Sequence, residues 1–304
     1  MEYRIVRQVL GSQTFTPITE KEYQDIQIAK EGLVESLFLE EKFDIVLEDF
    51  YEYEMELLQL STHQMLFRNL NYSKFQNEIN SVNRRIINLL SACRLYIDHS
   101  SHHISNIFNG DGSKKQEIKS NTSHEYDTSL GYRVMEALRN YVQHRGFPIQ
   151  RCTYNSKRVE EEGQSKLLFS ITPYLDVEKL DEDGKFKKTV LNELREIGDK
   201  HDIKPLLREY IASISSIHEK NRALLKSLIK QWEELLNSKI EAFRTEAGDG
   251  ESIIGLAAVI YEGNGCYNSP VPIFLELVEH RKELERKNGN LTSLVSRYVT
   301  SEIV

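Results

Sequence analysis

Helical periodicity with little to interrupt it is the strongest constraint on this chain. Only six prolines are spread through its 304 residues, and apolar residues recur at three- and four-residue intervals over long stretches. From Thr19 to about Leu66 the pattern predicts one broken helix or two consecutive ones. After a loop around Asn69–Ser73 comes a long helix from about Lys74 to Phe108. Ile79, Ile86, Leu90, Cys93, Ile97, Ile104 and Phe108 form one apolar stripe along it. Residues 109–127, NGDGSKKQEIKSNTSHEYD, lack such periodicity and read as an exposed connection. Asp127, Thr128 or Ser129 can then cap a helix that runs to about Arg145, closed by Gly146 and Pro148. Pro205 opens another long helix toward Ala247, Gly248–Gly250 stops it, and a last helix is expected near Ile273–Lys287.

Strand signals are fewer. Tyr3–Val9 reads as a short opening strand. Ile149–Asn155 and Lys166–Tyr174 alternate like two strands of a hairpin around an acidic turn, and DEDGKFKK (181–188) reads as a solvated turn. The apolar run IIGLAAVIY (253–261) is too short to span a bilayer. The expected fold is mainly α: a helical bundle over 1–150, then the hairpin and a mostly helical C-terminal region over 151–304.

Charge limits the function classes. With 39 basic and 47 acidic residues the net charge is −8, so the chain repels phosphate at long range. Any nucleic-acid site must be a local basic patch. Cys93, Cys152 and Cys266 are far apart, odd in number and without a C-x-x-C pair. Neither a disulfide framework nor a cysteine zinc site is expected, and MEYRIVRQVL does not read as a signal peptide. A cytoplasmic protein without membrane association is the resulting expectation.

The chemistry concentrates in ALRNYVQHRGFPI, residues 137–149. On a helix, Leu130, Val134, Ala137, Leu138 and Tyr141 share one face. Asn140 and His144 stack one turn apart at its edge, and Arg139 points to the other side. With 18 arginines, 18 asparagines and 9 histidines in 304 residues, chance supplies about 1.6 Arg–His pairs with four to six intervening residues. Three occur: Arg94/His99, Arg139/His144 and Arg195/His201. Fixing the spacing at four intervening residues and requiring Asn directly after the Arg lowers the chance expectation to about 0.03, so Asn140 carries the signal.

RNYVQH on such a helix, with a long helix before it, resembles the motif of the HEPN superfamily, the higher eukaryotes and prokaryotes nucleotide-binding domain. The resemblance covers roughly residues 20–150. It implies an all-helical bundle and metal-independent RNA cleavage, in which the 2′-OH attacks the adjacent phosphodiester. It also implies a site completed across a homodimer. Arg139 and His144 are then catalytic and Asn140 organises them. The setting it implies is toxin or antiviral defence, with an antitoxin or other defence partner; non-catalytic partner proteins also belong to the superfamily. The residue types suit the reaction: histidine exchanges a proton near neutral pH, and the arginine fork stabilises charge on phosphoryl oxygens. No metal ion or other cofactor is required.

Other constellations read more weakly. Arg94–His99 repeats the spacing with an apolar Leu95 after the Arg, and Arg94/Asp98 reads as a surface ion pair. Tyr96, Asp98 and His99 are candidate supporting groups beside Arg139. HSSHH (99–103) has an i, i+4 histidine pair without an evident third ligand. Arg195/His201 is followed by Glu196, a carboxylate that would repel phosphate. Arg145, Arg151, Lys157 and Arg158 are candidates for the basic patch that holds RNA. Ile211, Ile214, His218, Asn221, Leu225, Leu228, Trp232 and Leu235 follow 3–4 spacing, either as a core helix or as a dimer seam.

Overall fold

The structure is a computed structural model and describes residues 1–9, 14–67, 71–161, 164–182, 184–248, 252–263 and 266–299. It is mainly α with a small β component. Helix α1 (Glu20–Leu66) is one unbroken element of 47 residues, where one broken or two consecutive helices were expected; no proline falls within it. A capping box starts it: Thr19 N donates to Glu22 Oε2 at 2.7 Å, and Glu22 N donates back to Thr19 Oγ1 at 3.2 Å. Helix α2 (Tyr72–Ile107) buries Ile79, Ile86, Leu90, Cys93 and Ile104 of the expected stripe.

The exposed connection expected over 109–127 is instead mostly helix, α3 (Gly112–Thr128). Its only buried residue is Ile118, so no apolar stripe announced it. Asp111 caps it by accepting from Ser113 N at 2.8 Å. Helix α4 (Leu130–His144) follows. Strands β3 (Arg151–Glu161) and β4 (Gln164–Asp176) form the expected hairpin, paired from Arg151↔Tyr174 to Glu161↔Gln164. The expected acidic turn lies partly outside the described residues, as do the loop around 69–73 and the glycines expected to stop the long helix. Short helices α5 (Val177–Asp181) and α6 (Lys188–Ile197) lead to strand β5 (Lys200–Asp202), which adds to β4.

Helix α7 (Ile203–Ala247) is 45 residues long. The apolar run after it becomes strand β6 (Leu256–Gly263), which pairs with β7 (Cys266–Pro272) and with the N-terminal strand β1 (Glu2–Arg7); β1 also pairs with β2 (Phe15–Ile18). Helix α8 (Glu276–Lys287) is the last α-helix among the described residues. No described helix is long and apolar enough to cross a membrane.

Two compact units divide these elements, and each draws on three stretches of chain. The first comprises 1–41, 99–118 and 220–289; the second comprises 42–98, 119–219 and 290–304. The first holds the four-stranded sheet, with Ile5, Val6, Ala257, Ala258 and Val259 buried. Within it the buried Glu40 carboxylate accepts from both Arg222 Nε and Nη2, at 2.9 and 2.6 Å. The second is built around Phe43, Tyr53, Ile86, Leu89, Leu90, Val134, Leu138, Tyr210 and Ile214, all fully or almost fully buried. The 3–4 row on α7 is buried at Ile211, Ile214, His218, Asn221 and Leu225, which makes that stretch a core helix.

Candidate functional site

Helix α4 lies wholly in the second unit, and its start is fixed by local chemistry. Ser129 Oγ accepts from Tyr132 N at 3.0 Å and donates to Glu209 Oε1 of α7 at 2.9 Å. A Cβ on Gly131 would stand 2.6 Å from the Leu206 carbonyl oxygen, so only glycine lets α4 approach α7 this closely. Tyr132, Val134, Met135, Ala137 and Leu138 form the buried face. The helix ends at Arg145, whose N–H donates to Tyr141 O at 2.8 Å.

Asn140 and His144, both exposed, stand one turn apart on the wall of a cavity of about 560 Å³. Ala137, Tyr141 and Arg145 of the same helical segment line it too. A second depression of about 360 Å³ shares His144 and Arg145 and is closed by Ile87, Val142, Gly146 and Phe147. His144 therefore forms the ridge between two concavities. Arg139 lines neither. Half-buried, it reaches the site only through its neighbour, Nη1 donating to Asn140 Oδ1 at 3.1 Å. Its Nε is buried without a hydrogen-bond partner.

The rest of the lining comes from groups that sequence reasoning did not connect to the site: Arg133 and Glu136 on the same face of α4 and, from other elements, Tyr126 at the end of α3 and Lys185 and Lys187 before α6. Arg133 is a structural clamp. Its Nε and Nη2 donate to Glu193 at 3.0 and 2.6 Å, while Nη1 donates to the carbonyls of Tyr126 and Asp127 at 2.8 and 3.0 Å. Those are end-of-helix carbonyls, so Arg133 both caps α3 and holds Tyr126 in place. Glu136 accepts from Tyr210 Oη at 2.8 Å and from Arg94 Nη1 at 3.5 Å. Burial, followed by the Cys93 and Glu136 charges, pushes the Tyr210 phenol well above its ordinary value, so it stays a donor to that carboxylate.

The turn expected over 181–188 is not uniformly solvated. Phe186 is buried and packs edge-on against Tyr141, centroids 6.0 Å apart, while Lys185 and Lys187 on either side are exposed. Lys187 Nζ donates to Tyr126 Oη and lies 4.6 Å from the centre of that ring. Lys–apolar–Lys alternation was the available sequence signal, masked by its acidic neighbours.

The supporting trio does not assemble. Tyr96 is fully buried, its hydroxyl 2.9 Å from His218 Nδ1. Asp98 accepts from Arg94 Nε at 2.9 Å, and Arg94 in turn reaches Glu136. His99 belongs to the first unit, edge-on to His103 at 6.2 Å. Of the candidate basic patch, Arg145 lines the cavity; Arg151, Lys157 and Arg158 are exposed on β3, where alternation puts Arg158 on the opposite face from the other two. His201 lies 2.7 Å from the Gly198 carbonyl oxygen. Among the described residues, no group of three or more His, Cys, Asp or Glu could hold a metal ion. Comparison with family models, with curated proteins and with solved structures finds no match to this chain.

Proposed function

We propose that the chain is a metal-independent endoribonuclease of the toxin or defence type, with its active site centred on α4. The observation that supports this most is the placement of Asn140 and His144 on the wall of one cavity, with Arg139 bonded to Asn140. In this reading His144 takes the proton from a ribose 2′-OH, and the oxygen attacks the adjacent phosphorus. The bond to the 5′ oxygen breaks, leaving a cyclic phosphate and a 5′-hydroxyl, and the proton taken up by His144 passes, directly or through water, to the departing oxygen. The Arg139 fork stabilises negative charge on the phosphoryl oxygens. Asn140 holds that fork.

Arg139 and His144 face different ways on one helix. The site is therefore completed by a second copy, whose α4 brings an arginine to this histidine across a two-fold axis. The test is RNA cleavage in EDTA by wild type, Arg139→Ala and His144→Ala. Cleavage by wild type alone is the expected result. Activity that persists in both variants overturns the assignment, and wild-type activity abolished by EDTA points to a metal instead.

A further inference from the structure

The cavity beside α4 extends well past the R-N-x-x-x-H residues, and its far wall has a chemistry of its own. With Arg133 neutralised by Glu193, the cavity is lined by three further cationic side chains, Arg145, Lys185 and Lys187, against a single carboxylate, Glu136. In a chain of net charge −8 that is a local reversal of sign, the feature an acidic protein needs to hold a polyanion. Its volume, about 560 Å³, falls in the range of ligand-binding clefts. It also presents the aromatic ring of Tyr126 beside the two lysines.

The lysines are placed by design of the local sequence. Phe186 is 4 % exposed and anchors the segment against Tyr141, and its two neighbours line the cavity. Lys187 also sits at the start of α6, a helix with no acidic residue in its first turn and no side-chain cap. The helix dipole therefore adds to the positive potential there.

We infer that Lys185, Lys187 and Tyr126 form a subsite for the nucleotide next to the scissile phosphate in a single-stranded RNA. The two ammonium groups hold its phosphate, and the Tyr126 ring stacks on its base once phosphate has drawn Lys187 off that ring. This rests on the RNA-directed reading of α4 and adds a site that the R-N-x-x-x-H motif does not contain. Single strands are favoured because stacking on Tyr126 needs an unpaired base face.

The experiment measures anisotropy of a labelled ten-nucleotide RNA whose 2′ positions are all O-methylated, so that it binds but has no nucleophile to be cleaved. Affinity is followed against salt for wild type, Lys185→Ala/Lys187→Ala, and Lys226→Ala/Lys230→Ala on the exposed side of α7, each checked by circular dichroism. Loss of the one phosphate contact that the two ammonium groups share should reduce the slope of log affinity against log salt by about 0.7 in the Lys185/Lys187 variant. The Lys226/Lys230 variant should keep the wild-type slope. Tyr126→Leu should weaken binding without changing the slope. Absent wild-type binding, or an unchanged slope in the Lys185/Lys187 variant, overturns the subsite. Binding that follows the expected pattern while unmodified RNA stays intact upholds the subsite and overturns the ribonuclease reading.

Discussion

Asn83 and Ile149 exchange two hydrogen bonds. The Asn83 amide Nδ2 donates to Ile149 O, and Ile149 N donates to Asn83 Oδ1, both at 2.9 Å. Both residues are 1 % exposed. A side chain on α2 thus acts as a substitute strand for the segment that leaves α4 just after His144. Asn83→Ala leaves both Ile149 backbone groups buried and unpaired, at a cost of about 2–4 kcal/mol. Denaturant unfolding should show that loss, and RNA cleavage should fall with it, because the exit from α4 is no longer held.

Proton transfer and charge stabilisation set the size of the catalytic losses. His144→Ala should lower the cleavage rate by about 10²–10⁴. Arg139→Lys keeps the charge without the planar fork, so it should fall between wild type and Arg139→Ala. Mixing the two inactive alanine variants should restore part of the activity, because a hybrid pair contains one complete Arg139/His144 combination. No recovery after mixing and subunit exchange would sink the composite site.

Gly131 and Gly112 make a matched pair of substitutions. Ala at 131 drives a methyl group onto the Leu206 carbonyl oxygen and the Glu209 side chain, and overpacking there should cost about 1–3 kcal/mol. Nothing stands within 4 Å of a Cβ at Gly112, so Gly112→Ala should be neutral or stabilising by up to about 1 kcal/mol. Thermal melts of the two variants provide the comparison.

Acid stability should depend on Glu22. The hydrogen bond from Lys239, then that from Thr19 N, lowers its carboxyl from an ordinary 4.5 to about 2. A carboxylate with a depressed folded value contributes stability above its unfolded pKa and loses it as pH falls toward the folded one. The contribution is present above about pH 4.5 and fades toward pH 2, reduced by solvent because Glu22 is partly exposed. Glu22→Gln should therefore lower stability at pH 7 and flatten the decline between those limits, read from denaturation midpoints at pH 7 and pH 3.

Thiol accessibility gives a simple check of the core. Cys93 and Cys152 are buried and Cys266 is exposed. Burial raises both buried thiols, that of Cys152 to about 12, and the thiolate is the reactive form. An excess of a disulfide reagent at pH 8 should titrate one thiol in the native protein and three after denaturation.

How much of this was legible beforehand follows from where each signal lies. Helix α4 announced itself because its buried face, Val134, Ala137 and Leu138, repeats at helical spacing, and because Ser129 offered a cap. The wheel also put Asn140 and His144 on one edge with Arg139 turned away, as the structure has them. Helix α3 gave no such signal: with Ile118 its only buried residue, it is fixed by caps and by Arg133, which periodicity does not register. The pairing of β1 with β6 joins residues such as Ile5 and Ala258, too distant in sequence for any local pattern to link. Lys185 and Lys187 were hidden among Asp181, Glu182 and Asp183, where the solvated reading was natural; the buried Phe186 between them is what gives them direction.

The interleaving of the two units carries a last consequence. The chain passes from one unit to the other five times, after residues 41, 98, 118, 219 and 289. The first four crossings fall inside α1, α2, α3 and α7. No single stretch of gene therefore encodes the unit that bears Arg139 and His144. Exchange of one contiguous segment cannot transplant it as a cassette, because any such cut severs α1 or α7.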